Sequence, residues 1–250
     1  MTADTTVETG SWIRRFHPGP EGAPRLVCLP HAGGSASYFF PVSRQLASVA
    51  DVLAVQYPGR QDRRHEPCID SIPDLADALA RELLPYGDRP LTLFGHSMGA
   101  SLGFEVALRL EAAGVTVRHF FASGRRAPST PRDERVHLRD DDGLIADIKR
   151  LSGTDAQVLG DDEIMRMILP AIRADYRAAE TYRWTAGPPL ACPVTVLTGD
   201  TDPHVTDEEA RAWARHTTGT FELKVYPGGH FYLNSQAGAV IALIDKTLRG

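Results

Sequence analysis

Short apolar runs alternate with stretches of helical periodicity along most of the chain. The runs that predict strands are RLVCLP (25–30), DVLAVQYP (51–58), LTLFG (91–95), HFFAS (119–123), PVTVLTG (193–199) and FELKVYP (221–227). They are rich in Val, Leu and Phe without strict alternation, which is typical of strands covered on both faces. Strands that alternate with helices indicate βαβ units, so the sequence predicts an α/β fold with a mostly parallel sheet.

Three segments around these runs have the spacing of helices. Residues 71–86 place apolar side chains on one face, behind a capping signal formed by Ser71 and Asp74. Residues 98–114 are apolar nearly all round, which predicts a more deeply buried helix, and residues 241–248 predict a helix that closes the chain.

The stretch from Gly124 to Cys192 is far longer than the dozen or so residues that a crossover between parallel strands needs. It contains two apolar helical faces, one formed by Leu144, Ile148 and Leu151 and the other by Ile164, Ile168, Ile172 and Tyr176. We expect a helical insertion at about residues 130–186, within a single domain of residues 11–250 that follows a flexible tail of residues 1–10. The insertion helices would either enlarge the core or cover a substrate site as a lid.

Composition excludes several classes of function. The chain has 250 residues, 42% of them hydrophobic, which is enough for a full core, and its net charge of −5 argues against general binding to nucleic acid or anionic membranes. No signal-peptide core or membrane-length apolar run is visible. The cysteines are few and widely spaced, which argues against a disulfide framework or a metal site. We therefore expect a cytoplasmic protein with neither nucleic acid nor membrane as a partner.

The pentapeptide Gly95-His96-Ser97-Met98-Gly99 fits the pattern G-x-S-x-G. An apolar run precedes it and a helical pattern follows at once, which is the context of a nucleophile elbow. In such an elbow a strand turns sharply into a helix, and the flanking glycines avoid collisions that side chains would cause. The serine hydroxyl then lies at a helix N-terminus, where backbone N–H groups favour developing negative charge. Ser97 is the predicted nucleophile.

A serine needs a base to take its proton and an acid to orient that base. Among nine histidines, His230 in PGGHFYL directly follows a predicted strand, so it should lie in a loop at the carboxyl edge of the sheet. His96 should point away from the elbow and be structural. The loop TGDTDPHVT supplies the acid, either Asp200 or Asp202, and local chemistry does not separate them. The order serine, acid, histidine is the one that α/β-hydrolases use.

The oxyanion of an acyl-transfer reaction needs at least two N–H donors. One should be the backbone N–H of Met98, the residue after the nucleophile. The second should come from LPHAGGSA, where Gly33 and Gly34 let the backbone fold close to the serine. The HAGG segment is similar to the HGGG-type oxyanion loop, which makes the N–H of Ala32 the predicted second donor.

The segments LPHAGGSA, YPGRQDRRHEP, GHSMGA, CPVTVLTGDTDP and PGGHFYL occur in this order. Together they resemble type II thioesterases, the free-standing α/β-hydrolases that accompany polyketide and nonribosomal peptide synthases. The resemblance runs from about residue 11 to the C-terminus. It implies an α/β-hydrolase fold with a helical lid, and hydrolysis of acyl thioesters on the phosphopantetheine arm of carrier proteins, with no metal or cofactor. It also implies that Asp202, and not Asp200, completes the triad.

Other functions fit parts of this pattern. An acyltransferase or cyclase would pass the acyl group to an alcohol or amine, a small-ester carboxylesterase would use the same triad, and a non-catalytic binding protein would share the scaffold. The expected partner is an acyl-loaded carrier protein, which is generally acidic. Five arginines could attract such a partner: Arg60, Arg63, Arg64, Arg125 and Arg126. The alternative is that they are solvated or paired within the protein.

Overall fold

The computed structural model describes residues 11–151 and 162–250, and within them the chain forms a seven-stranded sheet. The strands are β1 (Ile13–Arg14), β2 (Arg25–Leu29), β3 (Asp51–Val55), β4 (Leu91–His96), β5 (Val117–Ser123), β6 (Val194–Gly199) and β7 (Phe221–Tyr226). Their order is β1-β3-β2-β4-β5-β6-β7, and every pairing is parallel except that of β1 with β3. Each strand predicted from an apolar run is confirmed. The two-residue β1 was not predicted because it is too short to show a periodicity.

The helices are α1 (Phe40–Leu46), α2 (Ile72–Leu83), α3 (Met98–Ala112), α4 (Asp141–Leu151), α5 (Asp162–Thr181), α6 (Asp207–Arg211), α7 (Tyr232–Ser235) and α8 (Ala237–Arg249). The predicted cap of α2 is present, since the Asp74 N–H donates to Ser71 Oγ over 3.4 Å. The last helix begins at Ala237, four residues earlier than its apolar pattern indicated. Within the described residues, no helix combines the length and apolar character that crossing a membrane requires.

Two apolar layers cover the sheet. Leu79 of α2 and Phe104 of α3 belong to the cluster on one face, and Phe39 and Ile241 belong to the cluster on the other. All residues of β3, β4 and β6 are buried as a result. This double cover explains the continuous apolar runs of the inner strands, and it holds their carboxyl ends in place as a base for the site loops.

Helices α4 and α5 lie between β5 and β6 in the chain, where the insertion was predicted. They pack against each other through a small apolar cluster that includes Leu144, Ile148, Leu169 and Ile172, and α5 also contacts α3. Both predicted apolar faces therefore contribute to this cluster. The predicted tail of residues 1–10 and the side chain of Ile164 lie outside the part of the chain that the structure describes.

Candidate active site

Ser97 is the single residue between β4 and α3, and its backbone is strained. Its φ of 55° and ψ of −117° lie where non-glycine residues are rare. The turn is held by the Ser97 N–H, which donates to the Ser123 carbonyl over 2.8 Å. A Cβ on Gly95 would lie 2.1 Å from the Gly99 oxygen, and a Cβ on Gly99 would lie 2.2 Å from the Leu29 oxygen. The flanking glycines are therefore required by backbone contacts.

His230 reaches Ser97 from the loop that follows β7. The Ser97 hydroxyl lies 3.0 Å from His230 Nε2, and His230 Nδ1 lies 2.9 Å from Asp202 Oδ2. A carboxylate only accepts hydrogen bonds, so the proton of the neutral imidazole belongs on Nδ1. The lone pair of Nε2 then faces the Ser97 hydroxyl, which is the tautomer that a general base needs.

The two acidic residues after β6 have different environments. The Asp202 side chain is fully buried, and its second oxygen accepts the His204 backbone N–H over 2.8 Å. Asp200 instead accepts the Gly228 backbone N–H over 2.9 Å, and so braces the loop that leads to His230. The structure thus places Asp202, and not Asp200, against His230.

Two further histidines lie near His230 and remain uncharged. His96 is completely buried and shares a hydrogen bond of 2.9 Å with Ser123 Oγ, while its pKa is held well below the ordinary value by burial and by the charge of His230. Burial also lowers the pKa of His31 to about 3, assisted by His230 and Arg60. Both imidazoles are therefore neutral near pH 7, and neither adds positive charge beside His230.

The two predicted oxyanion donors are the backbone N–H groups of Met98 and Ala32. Met98 is the first residue of α3, and Ala32 lies in the loop after β2. Within the described residues, neither N–H has a hydrogen-bond acceptor. The Ala32 loop is a tight turn in which the Gly34 N–H donates to the His31 carbonyl over 2.9 Å and Gly33 has a φ of 76°.

A family model for the thioesterase domain matches residues 24–248, nearly the whole chain. The chain belongs to the thioesterase family. It is 56% identical over 247 residues to the probable cadicidin biosynthesis thioesterase of Streptomyces griseus, an alignment that covers 99% of this chain and 68% of the relative. It is 53% identical to thioesterase PikA5 of Streptomyces venezuelae, covering 92% of this chain and 83% of that one.

A solved structure of the type II thioesterase BorB, from the borrelidin biosynthetic cluster, is similar throughout. It has 51% sequence identity and a TM-score of 0.92, and the match covers 96% of this chain and 98% of BorB. The predicted α/β-hydrolase fold is confirmed by this likeness and by the sheet order. The predicted activity class, hydrolysis of thioesters, is confirmed by the family.

A cavity of about 470 Å³ opens above Ser97 in this thioesterase. Ala32, Met98 and His230 line its floor, and α4 and α5 form much of its wall. The wall combines apolar and polar side chains, including Asp147, Ile148, Arg150, Leu151, Ile172 and Tyr176. An acyl chain attached to Ser97 would therefore contact both insertion helices.

Most of the arginines considered as attractants for an acidic partner are buried. Arg60, Arg63 and Arg126 are each at most 8% exposed and paired with carboxylates. Arg125 lines the cavity and donates to the Ala179 carbonyl over 2.8 Å, while burial and the charge of Arg126 lower its pKa to about 10. Only Arg64 of this set is well exposed, so the interpretation as internal pairs is the better one for the three buried arginines.

Two polar residues near the thioesterase site were not singled out from the sequence. The His204 ring lies 5.1 Å from that of His230 and lines the cavity. Asp175 of α5 is 1% exposed and contacts the loop that carries Ala32. His204 lies in the loop TGDTDPHVT, two residues after Asp202, which is a signal that could have found it, whereas Asp175 belongs to no local motif.

Proposed function

We propose that Ser97, His230 and Asp202 are the nucleophile, the general base and the orienting acid of this thioesterase. The observation that carries the proposal is the aligned pair of contacts, 3.0 Å from serine to imidazole and 2.9 Å from imidazole to carboxylate. Such an alignment transfers the serine proton to Nε2 during attack and stabilises the resulting imidazolium through Asp202.

The Ser97 oxygen attacks the thioester carbonyl as His230 takes its proton, and the carbonyl oxygen becomes an oxyanion. The N–H groups of Met98 and Ala32, which need acceptors, donate to that oxyanion. Collapse of the tetrahedral intermediate breaks the C–S bond, and the departing thiolate takes the proton from His230 and leaves as the free thiol, which returns Nε2 of His230 to its unprotonated form. Water deprotonated by His230 then attacks the acyl-enzyme and releases the free acid.

The substrates we infer are acyl groups carried on the phosphopantetheine arm of a carrier protein in a polyketide or nonribosomal peptide synthase. The likeness to the type II thioesterase BorB supports this substrate class. The insertion at about residues 130–186, which contributes α4 and α5, acts as a lid of the single domain of residues 11–250. Its side chains line the cavity beside Ser97, where they contact the acyl chain and exclude water.

The decisive test replaces Ser97 with alanine. We expect Ser97→Ala to lose thioester hydrolysis and labelling by a fluorophosphonate probe while its thermal unfolding stays close to that of the wild type. A variant that hydrolyses thioesters at nearly the wild-type rate would refute the assignment of the nucleophile.

The partner is tested with a panel of acyl-loaded carrier proteins beside the matching acyl-pantetheines. We expect a higher kcat/KM for the carrier-bound acyl groups and free acids as products. Equal values for both substrate forms would argue against recognition of the carrier, and ester or amide products would indicate acyl transfer in place of hydrolysis.

A further inference from the structure

A buried ion pair joins α5 to the loop that carries Ala32. Arg60, in the PGR segment after β3, donates from Nη1 and Nη2 to the two oxygens of Asp175 over 2.6 and 2.8 Å. The two side chains are 8% and 1% exposed. A bidentate pair of this kind fixes both distance and orientation, because two parallel hydrogen bonds permit little rotation.

Both members of this ion pair also form hydrogen bonds with the backbone of the loop that carries Ala32. The Gly33 N–H donates to Asp175 Oδ2 over 2.7 Å, and Arg60 Nη1 donates to the Gly34 carbonyl over 3.2 Å. A Cβ on Gly33 would lie 2.9 Å from Cγ1 of Ile172, so α5 lies directly against this turn. The loop is therefore shaped by contacts with α5 as well as by its own internal turn.

Peptide planarity transmits these contacts to the neighbouring N–H. Each trans peptide holds its C=O and N–H in opposite directions, so a bound Gly33 N–H orients the Ala32–Gly33 peptide. The His31–Ala32 peptide is held by its carbonyl, which accepts the Gly34 N–H over 2.9 Å. Asp175 therefore fixes the peptide that follows Ala32, and a shift of that peptide would move the turn that sets the direction of the Ala32 N–H.

We propose that Asp175 and Arg60 are positioning residues that align the Ala32 N–H with the oxyanion, and that the oxyanion hole is complete only while α5 is docked on this loop. The proposal rests on the assignment of Ala32 as an oxyanion donor. It makes the insertion part of the catalytic machinery, since one face of α5 contacts the acyl chain and an adjacent carboxylate shapes the hole. A substrate that displaces α5 would lose transition-state stabilisation without losing any group of the triad.

The test is Asp175→Asn in the full chain. Asparagine has the shape of aspartate, but one of its positions becomes an N–H donor, so it cannot accept from Gly33 and also from both guanidinium nitrogens. Because a misplacement of about 1 Å costs roughly 10²-fold, we expect kcat on an acyl-pantetheine to fall about 10²-fold with KM changed by less than about threefold. A trifluoromethyl ketone analogue, whose serine adduct places an oxyanion in the hole, should bind about 10²-fold more weakly, in parallel with kcat/KM.

The matched control is Asp70→Asn. Asp70 pairs over 2.8 Å with Arg177, which lies in α5 like Asp175, but both side chains of this pair are well exposed. Because exposed pairs contribute little, we expect kcat and analogue affinity to stay within about twofold of the wild type. Arg60→Lys keeps the charge and loses the bidentate geometry, so it should reproduce the pattern of Asp175→Asn and serves as the test if that variant does not fold.

The proposal is overturned if a folded Asp175→Asn or Arg60→Lys keeps kcat within about twofold, or if KM rises while analogue affinity is unchanged. Ser97→Ala distinguishes failure of this proposal from failure of the proposed function. If that variant still hydrolyses thioesters and binds the analogue, the nucleophile is wrong, whatever the Asp175 variants show.

Discussion

Asp202→Asn changes one atom of the triad and tests how the carboxylate sets the tautomer of His230. In the wild type, one carboxylate oxygen accepts the His204 backbone N–H over 2.8 Å and the other faces His230 Nδ1 at 2.9 Å. The His204 N–H can only donate, so the single oxygen of asparagine must remain on it. The amide NH₂ then faces His230 and requires a lone pair on Nδ1.

The consequence is a proton on the wrong nitrogen of His230. Nε2 would carry a hydrogen directed at the Ser97 hydroxyl and could no longer accept its proton. The corresponding change in serine proteases lowers kcat about 10⁴-fold, which equals about 5.5 kcal/mol of transition-state stabilisation. We expect a loss of this size here, since the same sequence of contacts, from serine to imidazole to carboxylate, is present.

The matched control is Asp200→Asn. Its amide oxygen can still accept the Gly228 N–H, so the loop before His230 keeps its shape. We expect kcat to fall no more than about threefold, because the variant keeps this hydrogen bond and the loop therefore loses little stabilisation. Release of pantetheine thiol from an acyl-pantetheine, followed colorimetrically, gives kcat and KM for both variants, and circular dichroism checks the fold. The reasoning fails if Asp202→Asn keeps more than about a tenth of the wild-type kcat, or if Asp200→Asn is the more damaged variant.

Three further substitutions test the elbow, a helix and a buried histidine. Gly99→Ala would place a Cβ 2.2 Å from the Leu29 oxygen. Because backbone cannot move aside as a side chain does, we expect urea unfolding to show a free energy of unfolding lower by about 2 kcal/mol or more. An unchanged midpoint would contradict this. Gly238→Ala meets no atom within 4 Å and should stabilise α8 by about 0.5 kcal/mol, so a lower melting temperature would be evidence against it. Burial lowers the pKa of His31 to about 3, so below about pH 6 this residue binds a proton in the unfolded chain but not in the folded one. Its contribution lowers the free energy of unfolding by about 1.4 kcal/mol for each unit by which the pH falls. His31→Asn should remove this contribution while that of His96 remains, and equal slopes for both proteins between about pH 6 and pH 4.5 would refute it.

The parts of the fold that the sequence predicted are those set by local pattern. The inner strands are apolar on both faces because the sheet is covered on both sides, so their runs stand out from the polar loops. The cap at Ser71 and the glycine-flanked Ser97 could also be recognised, because each depends on residues within a few positions. Strand β1 could not be, since its two residues form a strand only by pairing with β3.

The parts of the site that the sequence left open depend on long-range contacts. Asp200 and Asp202 differ in which backbone N–H groups they reach, and that is decided by the course of the loop. Arg60 and Asp175 are 115 positions apart, and nothing near either residue indicates the other. The sequence pattern around Asp175 shows only the apolar face of α5, to which Asp175 does not belong. From the sequence its carboxylate is therefore expected in solvent, and its burial becomes visible only in the folded structure.

The short antiparallel strand β1 covers part of one edge of the sheet. Its Ile13 and Arg14 pair with Val55 and Ala54 of β3, so this end of β3 is covered on that side. At the opposite rim, β7 presents Glu222 and Lys224, which form an ion pair, and charged side chains of this kind discourage strand addition. A chain shortened beyond Arg14 would keep Ser97, Asp202 and His230 but leave Ala54 and Val55 at an unpaired edge, and we expect it to aggregate more readily than the full chain, because unpaired edge strands accept strands of other molecules.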